Sequence, residues 1–590
     1  MSSPPGHALP WSSRQRVVTF LIGTGLALLA SVSSGAGAFR GAVTDPDTAM
    51  RLLRLQDSLQ AGHVIHTVWR DNAGNGTVLH WSHLLDGLIL LIAAPVAAVG
   101  GWPAGLAWVT IIFGPLSVGL LAVAVAWAVL PVAQSTPVEA GGGSSAPVWL
   151  AAVALGLSPA VVQYGLVGVV HHHVLLAVTS ACGAGWAIRA VRGGGTMAGA
   201  GIGISAALGL WLSPEALAFG LMALGGVWVA WLADPRADLA RAVATAGSAL
   251  FAVTVVAWLL DPPAIGYQAA EPDRLSVMFV WLAAGAAVSS VLALRGTGAR
   301  PIAVLFAFGT AAAWLAVFPQ VLRGTAGLMD PAQARTFFDG ILEMSPVRDG
   351  AGIATHLLRG GMAALFLAWL AWYDRVSTAL YAAACGVVMV VLASQHVRFA
   401  AYPATFAAGV LPIAVTRAMR SGLSDHAVAR VRIAIIGVFL ALPAFAGYGL
   451  AGYSSAAVAT TGGAAASGLD TQICSLDDAV ALTLPLGSSV VLAPVNEGPL
   501  LLWRTRVQTV GSLYHRGIDG FMRLQHAWYD PADPHTAVTA TKAEYILFCA
   551  QPGLAAPDHS LAAQLNAHQT PAWLDQAASS GGYMLYRVRP

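Results

Sequence analysis

Residues 104–131 read AGLAWVTIIFGPLSVGLLAVAVAWAVLP, a run without a single Asp, Glu, Lys or Arg. A helix of about 20 such residues spans the hydrocarbon of a bilayer, and a helix apolar on every face has no side to turn to water. Outward from it, similar segments recur at roughly 17–38, 84–99, 147–167, 173–191, 199–212, 215–233, 242–260, 276–294, 301–319, 357–373, 377–394, 400–416 and 433–450. The composition agrees: of 590 residues 57% are hydrophobic and 10% charged, and the mean hydropathy is +0.68. A soluble domain carries about 25% charged residues, so a cytosolic globule is excluded. Lys+Arg 30 against Asp+Glu 28 leaves no broad basic face for nucleic acid. The sequence predicts a polytopic α-helical membrane protein, with membrane lipids as its solvent.

Cytoplasmic loops collect arginine. Arg14 and Arg16 put the N-terminus inside; Arg189/Arg192, Arg236/Arg241, Arg295/Arg300, Arg375 and the group Arg417, Arg420, Arg430 and Arg432 mark later inside loops. Simple alternation through all fourteen segments contradicts that pattern. One early segment must fail to cross, and 84–99, which is short, opens on Asp86 and breaks at Pro95, is predicted to lie along or dip into the interface. Thirteen crossings then satisfy the arginines and leave residues 451–590 outside. A cleaved signal peptide ending near Ala38 is the competing reading of the first segment.

This gives a transmembrane domain over 1–450, with a first outer loop at 39–103 and a long one at 320–356. A Gly/Ala/Ser/Thr-rich linker follows at 451–470, then a small α/β domain at 471–590. Strands are expected at Ser489–Ala493, Val507–Leu513, Tyr545–Cys549 and Tyr583–Val588, and helices at Gly517–Ala527 and Ser560–Ala567. None of the four cysteines makes a CxxC pair. Cys182 and Cys385 sit in apolar runs, whereas Cys474 and Cys549 share the polar region and, if it is extracytoplasmic, suit a disulfide.

Because charge is rare, each polar cluster is informative. In the first outer loop Asp45 and Asp47 flank Pro46, with Arg51 after them. Pro46 favours an extended Asp45 and a helix start, from which both carboxylates could face a divalent cation; a solvated N-cap is the plain alternative. His171-His172-His173 separates two apolar segments on the same side, where imidazoles bind metals or shuttle protons. The long outer loop holds Glu343 beside Ser345-Pro346, and Gln395-His396-Val397-Arg398-Phe399 places an arginine at interface depth, suited to a phosphate or to snorkelling. Glu215, after Ser213-Pro214, is a lone acid in an apolar stretch.

Together these residues resemble the GT-C superfamily of polytopic glycosyltransferases, and within it the catalytic subunits of oligosaccharyltransferases. Asp45-Pro46 with Arg51 matches the family's first-loop motif in spacing. Gly168-Val169-Val170-His171-His172-His173 is similar to its Asp-His-His site with His171 where Asp is usual, Glu343 to its outer-loop glutamate, and Arg398 to its phosphate-gripping arginine. The family's Trp-Trp-Asp acceptor motif is absent, with Trp528-Tyr529-Asp530 only an echo. The resemblance implies a glycosyltransferase taking a sugar or oligosaccharide from a polyprenyl-phosphate or -pyrophosphate carrier, in a bacterial inner membrane with a periplasmic C-terminal domain. A lipid or glycan acceptor fits better than protein asparagine.

In that reading Asp45, Asp47 and Glu343 serve catalysis, and Arg51, His172 and Arg398 bind substrate. Asp45, Asp47, His171 and His173 would hold a divalent metal such as Mg or Mn. Tyr514-His515-Arg516 forms a compact cationic group that could reach a donor phosphate or simply make salt bridges. Protein-directed transfer, a transporter or flippase, and a non-enzymatic scaffold are the alternatives. A transporter should show polar residues at mid-membrane in two related halves, and no such repeat is visible.

Overall fold

The computed structural model describes residues 11–134, 147–339, 341–373, 377–419, 425–438, 474–550 and 556–589. Arg375, Arg420, the linker at 451–470 and most of the last apolar segment lie outside these. Among the described residues ten stretches are helical, long and apolar enough to cross a membrane; this is a multi-pass membrane protein.

Helix α1, Ser13–Ala30, starts at a capping box in which Ser12 and Gln15 bond each other's backbone. It leads to α2, Pro46–Ala61, in the loop expected at 39–103. The long α3, His83–Gln134, is two helices joined at Gly101, whose φ of 78° and ψ of 167° no helix accommodates. A Cβ at Gly105 would meet Ala93 and Ala97, so the two halves fold back on one another. The first half carries the 84–99 segment. Its Asp86 end is tied to α2 through Arg51 and Arg54. The second half meets the same outer-loop region, with Thr110 accepting from the Gly168 N–H at 2.8 Å.

The 147–167 segment is not one helix. It breaks into α4, Leu150–Gly156, and α5, Pro159–Val162, because Pro159 forces Ser158 into extended backbone (φ −98°, ψ 110°). A Cβ at Gly156 would collide with Leu26 of α1, and the Val167 N–H donates to Ser31 Oγ at 2.9 Å. The segment therefore follows α1 and delivers His171–His173 to the region of α2.

Then come α6 His173–Arg189, α7 Gly195–Leu212, α8 Leu217–Ala233, α9 Ala237–Leu260, α10 Val277–Val291 and α11 Arg300–Val317. They are followed by α12 Leu358–Tyr373, α13 Ser377–Gln395 and α14 Ala401–Met419. Without a hydrophobic force between helices in lipid, close backbone approach holds them. A Cβ on Gly199 or Gly203 of α7 would strike the Ala242 or Ala246 carbonyl of α9. At the end of the bundle away from α2, Arg189 donates to the Trp127 carbonyl, Arg192 to that of Pro131 and Arg236 to that of Val191.

In the C-terminal region five strands form one sheet in the order β4-β3-β5-β7-β6. They are β3 Val490–Leu492, β4 Gln508–Thr509, β5 Tyr545–Cys549, β6 Leu574–Ser580 and β7 Tyr583–Val588. Helices Ile518–Tyr529 and Leu561–Asn566 pack on it. The Cys474–Cys549 disulfide is present, joining residues 75 apart with Cα atoms at 6.2 Å; closing such a loop is worth about 4 kcal/mol in the chain-entropy picture.

A hairpin of the first outer loop, β1 Thr67–Val68 and β2 Thr77–Val78, docks on this region. Arg70 donates to the Leu502 and Thr505 carbonyls at 2.6 and 2.9 Å, and the Thr509 N–H donates to the Arg70 carbonyl at 3.0 Å. The buried Asp71 carboxylate accepts from Thr77, Thr509 and Ser512. Loop and C-terminal region form one packed layer.

Candidate active site

Asp45 is the N-cap of α2. Its backbone is extended, Pro46 takes the first helical position, and its Oδ2 accepts from the Thr48 N–H and hydroxyl, both at 2.7 Å. The Thr48 hydroxyl in turn accepts from the Val170 N–H at 2.8 Å, and the Thr44 N–H donates to the Gly168 carbonyl at 3.4 Å. These bonds stitch the first outer loop to the histidine run. Gly168 is required at the seam: its φ is +91° and a Cβ would lie 2.6 Å from Thr44 Oγ1. As a result His171, 126 residues away in sequence, puts Nε2 3.0 Å from Asp45 Oδ2 and 3.9 Å from Asp47 Oδ2.

The three histidines share a wall. One ring nitrogen of each lies within 4.8 Å of the others, and all three rings are buried. The Tyr164 ring packs 4.4 Å from that of His173 and 5.6 Å from that of His171, and its hydroxyl donates to Glu343 Oε1 at 3.2 Å. The loop bearing Glu343 is held to the turn before α14. The Val397 N–H donates to the Ser345 carbonyl at 3.1 Å, and His396 Nδ1 lies 2.7 Å from the Met344 carbonyl. Arg398, on that turn, pairs with Glu215 at 2.8 Å and touches Met344 Sδ at 3.3 Å. Among the described residues its buried Nε has no hydrogen-bond partner, an unspent donor beside the polar wall.

The charges interact across this cluster. Burial disfavours the His171 imidazolium, but the charge and hydrogen bond of Asp45, with Asp47 and Glu343, outweigh it and hold the group up at about 9. Burial raises Asp45, yet His171 and the Thr48 bonds prevail and its carboxyl is lowered. Asp47 goes the other way: burial and the neighbouring Asp45 and Glu343 charges leave it raised despite His171 and Tyr514. His172 is driven well below its usual value by burial and by the charges of Arg51, His171 and Arg398. Two adjacent carboxylates thus have opposite characters, one a fixed anion and one a proton acceptor of higher basicity.

Other sequence candidates have different roles. Arg51 is buried, bonded to Asp86 at 2.8 Å with its guanidinium over the Trp81 ring, and its charge is felt in the cluster at His172. It shares the Asp86 carboxylate with Arg54. Trp528 lies in the core of the C-terminal region, and Asp530 pairs with His526 at 2.7 Å.

Tyr514-His515-Arg516 joins the C-terminal region to two earlier segments of the chain. Arg516 and His515 bond Asp273, Arg516 also bonds Glu271, and the Tyr514 hydroxyl donates to Asp47 Oδ1 at 2.9 Å. Tyr164, Thr48 and Asp273 were not singled out from sequence. A lone tyrosine, threonine or loop acid carries no spacing signal for a partner so far along the chain.

Carboxylate and imidazole donors in one cluster suit a divalent transition-metal ion better than the all-oxygen shell that magnesium prefers. The donors brought together are His171, His172 and His173, with Asp45 and Asp47 at 3.0 and 3.9 Å from His171, a chemistry that could hold such an ion.

No protein-family model and no curated protein matches this chain. Solved structures do. The Archaeoglobus fulgidus oligosaccharyltransferase tethered with an acceptor peptide containing the NVT sequon superposes with a TM-score of 0.66 at 13% identity, covering 91% of this chain and 69% of that one. The same archaeal enzyme, AglB, in complex with an inhibitory peptide and a dolichol-phosphate gives 0.61 at 15% identity, covering 90% and 68%. Its complex with Zn and sulfate gives 0.58 at 14% identity, covering 90% and 67%. At such identities the likeness is one of fold: the chain has the GT-C, oligosaccharyltransferase-like fold.

Proposed function

We propose that the protein is a membrane glycosyltransferase that moves a sugar or oligosaccharide from a polyprenyl-phosphate-linked donor to a lipid or glycan acceptor on the outer face. The single observation that supports this most is the convergence of Asp45, Asp47 and His171, with Tyr164, packed on His171 and His173, bonded onward to Glu343 and the Glu343 loop touching Arg398 through Met344. Acids, imidazoles and a guanidinium with a spare N–H are what glycosyl transfer from a phosphate carrier needs.

The acceptor oxygen attacks the anomeric carbon as the bond from that carbon to the carrier phosphate breaks. Asp47, the raised and more open carboxylate, takes the acceptor proton. Asp45, kept anionic by Thr48 and His171, orients the acceptor and offsets positive charge developing at the sugar. Arg398 meets the charge growing on the leaving phosphate, exchanging part of its contact with Glu215. Glu343, fixed by Tyr164, is placed to orient the reacting groups. When bound by Asp45, Asp47, His171 and His173, a divalent ion, manganese or zinc rather than magnesium by its donors, supplies Lewis-acid polarisation.

Two features support a non-protein acceptor: Trp528 faces the interior, and Asp530 is engaged with His526. Thirteen crossings, with the 84–99 helix lying along or dipping into the interface and the C-terminal region in the periplasm of a bacterial inner membrane, complete the proposal.

Membranes carrying the protein, given a polyprenyl-phosphate donor radiolabelled in the sugar, should yield a labelled non-protein glycan or glycolipid. That product should disappear with Asp45→Asn. Equal product from the variant would remove the reading, and label in protein would move it to the protein-directed alternative.

A further inference from the structure

A second polar cluster lies where three distant segments meet outside the site just described. His80 comes from the first outer loop, Asp273 from the loop between α9 and α10, and His515 from the C-terminal region. One ligand atom from each lies within 4.8 Å of the other two. Asp273 and His515 are buried and His80 is half-buried. We propose that His80, Asp273 and His515 form a second divalent-metal site, of zinc type, which staples the C-terminal region to the first outer loop and to the α9–α10 loop.

Two imidazoles and one carboxylate are a zinc set, with water as the fourth ligand. The His80 and His515 rings stand 4.5 Å apart between centroids at 57°, turned neither for stacking nor for an edge contact. Among the described residues neither nitrogen of His80 has a hydrogen-bond partner, although it sits beside a carboxylate and an imidazole already 2.6 Å apart. Ligand atoms around a tetrahedral zinc lie about 3.3 Å from one another, given bonds of about 2.0–2.2 Å. Binding therefore needs His80 to close by at most about 1.5 Å and the His515–Asp273 contact to open by less.

The surroundings suit a cation. Arg516 Nε and Nη2 each hold the Asp273 carboxylate at 2.7 Å, which fixes a metal-bound carboxylate from behind. Glu271 shares Arg516 at 2.7 Å, so two carboxylates face one guanidinium. The neighbouring Arg274 is spent elsewhere, on Asp261 at 2.6 Å.

The staple is independent of glycosyl transfer, and so is its test. Full-length protein carrying a tag without histidines is purified in detergent, stripped with a chelator, and titrated with zinc and separately with cobalt. Wild type should gain thermal midpoint with zinc, and cobalt should give the visible bands of a four-coordinate N/O site. His80→Ala leaves the Arg516–Asp273 pair and hence the fold intact. It should bind one equivalent less zinc by mass spectrometry, with affinity at this site down at least ~100-fold. His171→Ala, away from the staple, should keep the cobalt bands that His80→Ala loses. Equal zinc content and equal cobalt spectra in wild type and His80→Ala would overturn the site and leave a metal-free ion cluster.

Discussion

Helix α2 carries charge in two opposite states within three turns. At its start, Asp45 and Asp47 have side chains 23% and 43% exposed and share one imidazole between them. Further along, Arg51 and Arg54 are 4% and 1% exposed and both close on Asp86, itself 5% exposed. The first group is reachable and incompletely matched, so a ligand can still change its energy. The second is sealed, two guanidinium groups sharing one carboxylate with the Trp81 ring over one of them, so a ligand has no access to it. In a chain that is 10% charged, that contrast separates chemistry from scaffold better than rarity of charge does.

The largest break should come at the open end. Asparagine caps a helix as well as aspartate, so Asp45→Asn keeps α2 and its stability within about 0.5 kcal/mol. It removes the anion, and glycan product should fall by about 10²–10⁴-fold, read as labelled product per mole of folded protein. A fall in thermal stability matching the fall in product would make Asp45 a scaffold residue like its neighbours.

The sealed end should give the reverse. Asp86→Ala strands two buried guanidinium groups, and breaking such a set costs about 3–5 kcal/mol. The expected result is a lowered denaturation midpoint in detergent, with activity per folded molecule nearly unchanged below it. Full stability would mean that water or lipid headgroups already solvate Arg51 and Arg54.

The same contrast explains what the sequence made legible. Asp45, Asp47, the histidine run, Glu343 and Arg398 stood out because acids and imidazoles are scarce among apolar runs, and the structure gathers them into one cluster. Arg51 stood out equally, by its spacing after Asp45-Pro46, and turned inward. Its partner Asp86 lies 35 residues away, and no local pattern announces a long-range ion pair. The broken crossing at 147–167 was hidden because hydropathy does not register that Ser158-Pro159 interrupts the helix. Strand β6 was missed because Asp575-Gln576-Ala577-Ala578-Ser579-Ser580 lacks branched and aromatic residues, and it is an edge strand with an irregular register against β7.

A smaller effect is expected at the seam between the outer loop and the histidines. Gly168→Ala adds a Cβ where φ is +91° and Thr44 stands in the way. The backbone cost is about 1–2 kcal/mol, and displacement of the loop should lower product about tenfold while leaving the bundle intact. Unchanged product would mean the two loops need not be held this closely.

The smallest change tests whether the C-terminal region belongs with the open end or the sealed one. Tyr514 is buried, sits edge-on to Trp81 at 5.4 Å, and sends its hydroxyl to Asp47 Oδ1. Tyr514→Phe keeps the ring contact and deletes that hydrogen bond together with the longer one to the Pro46 carbonyl at 3.4 Å. A bond to a charged group is worth about 1.5–3 kcal/mol, and solvent access to Asp47 puts the expectation near the lower limit. If Tyr514 fixes the carboxylate oxygen that does not take the proton, kcat should drop about tenfold with KM for the donor unchanged. If Tyr514 only fastens two layers together, the denaturation midpoint should move while kcat per folded molecule does not. The first result would make the C-terminal region part of the reacting surface, and the second would leave the chemistry to the membrane domain alone.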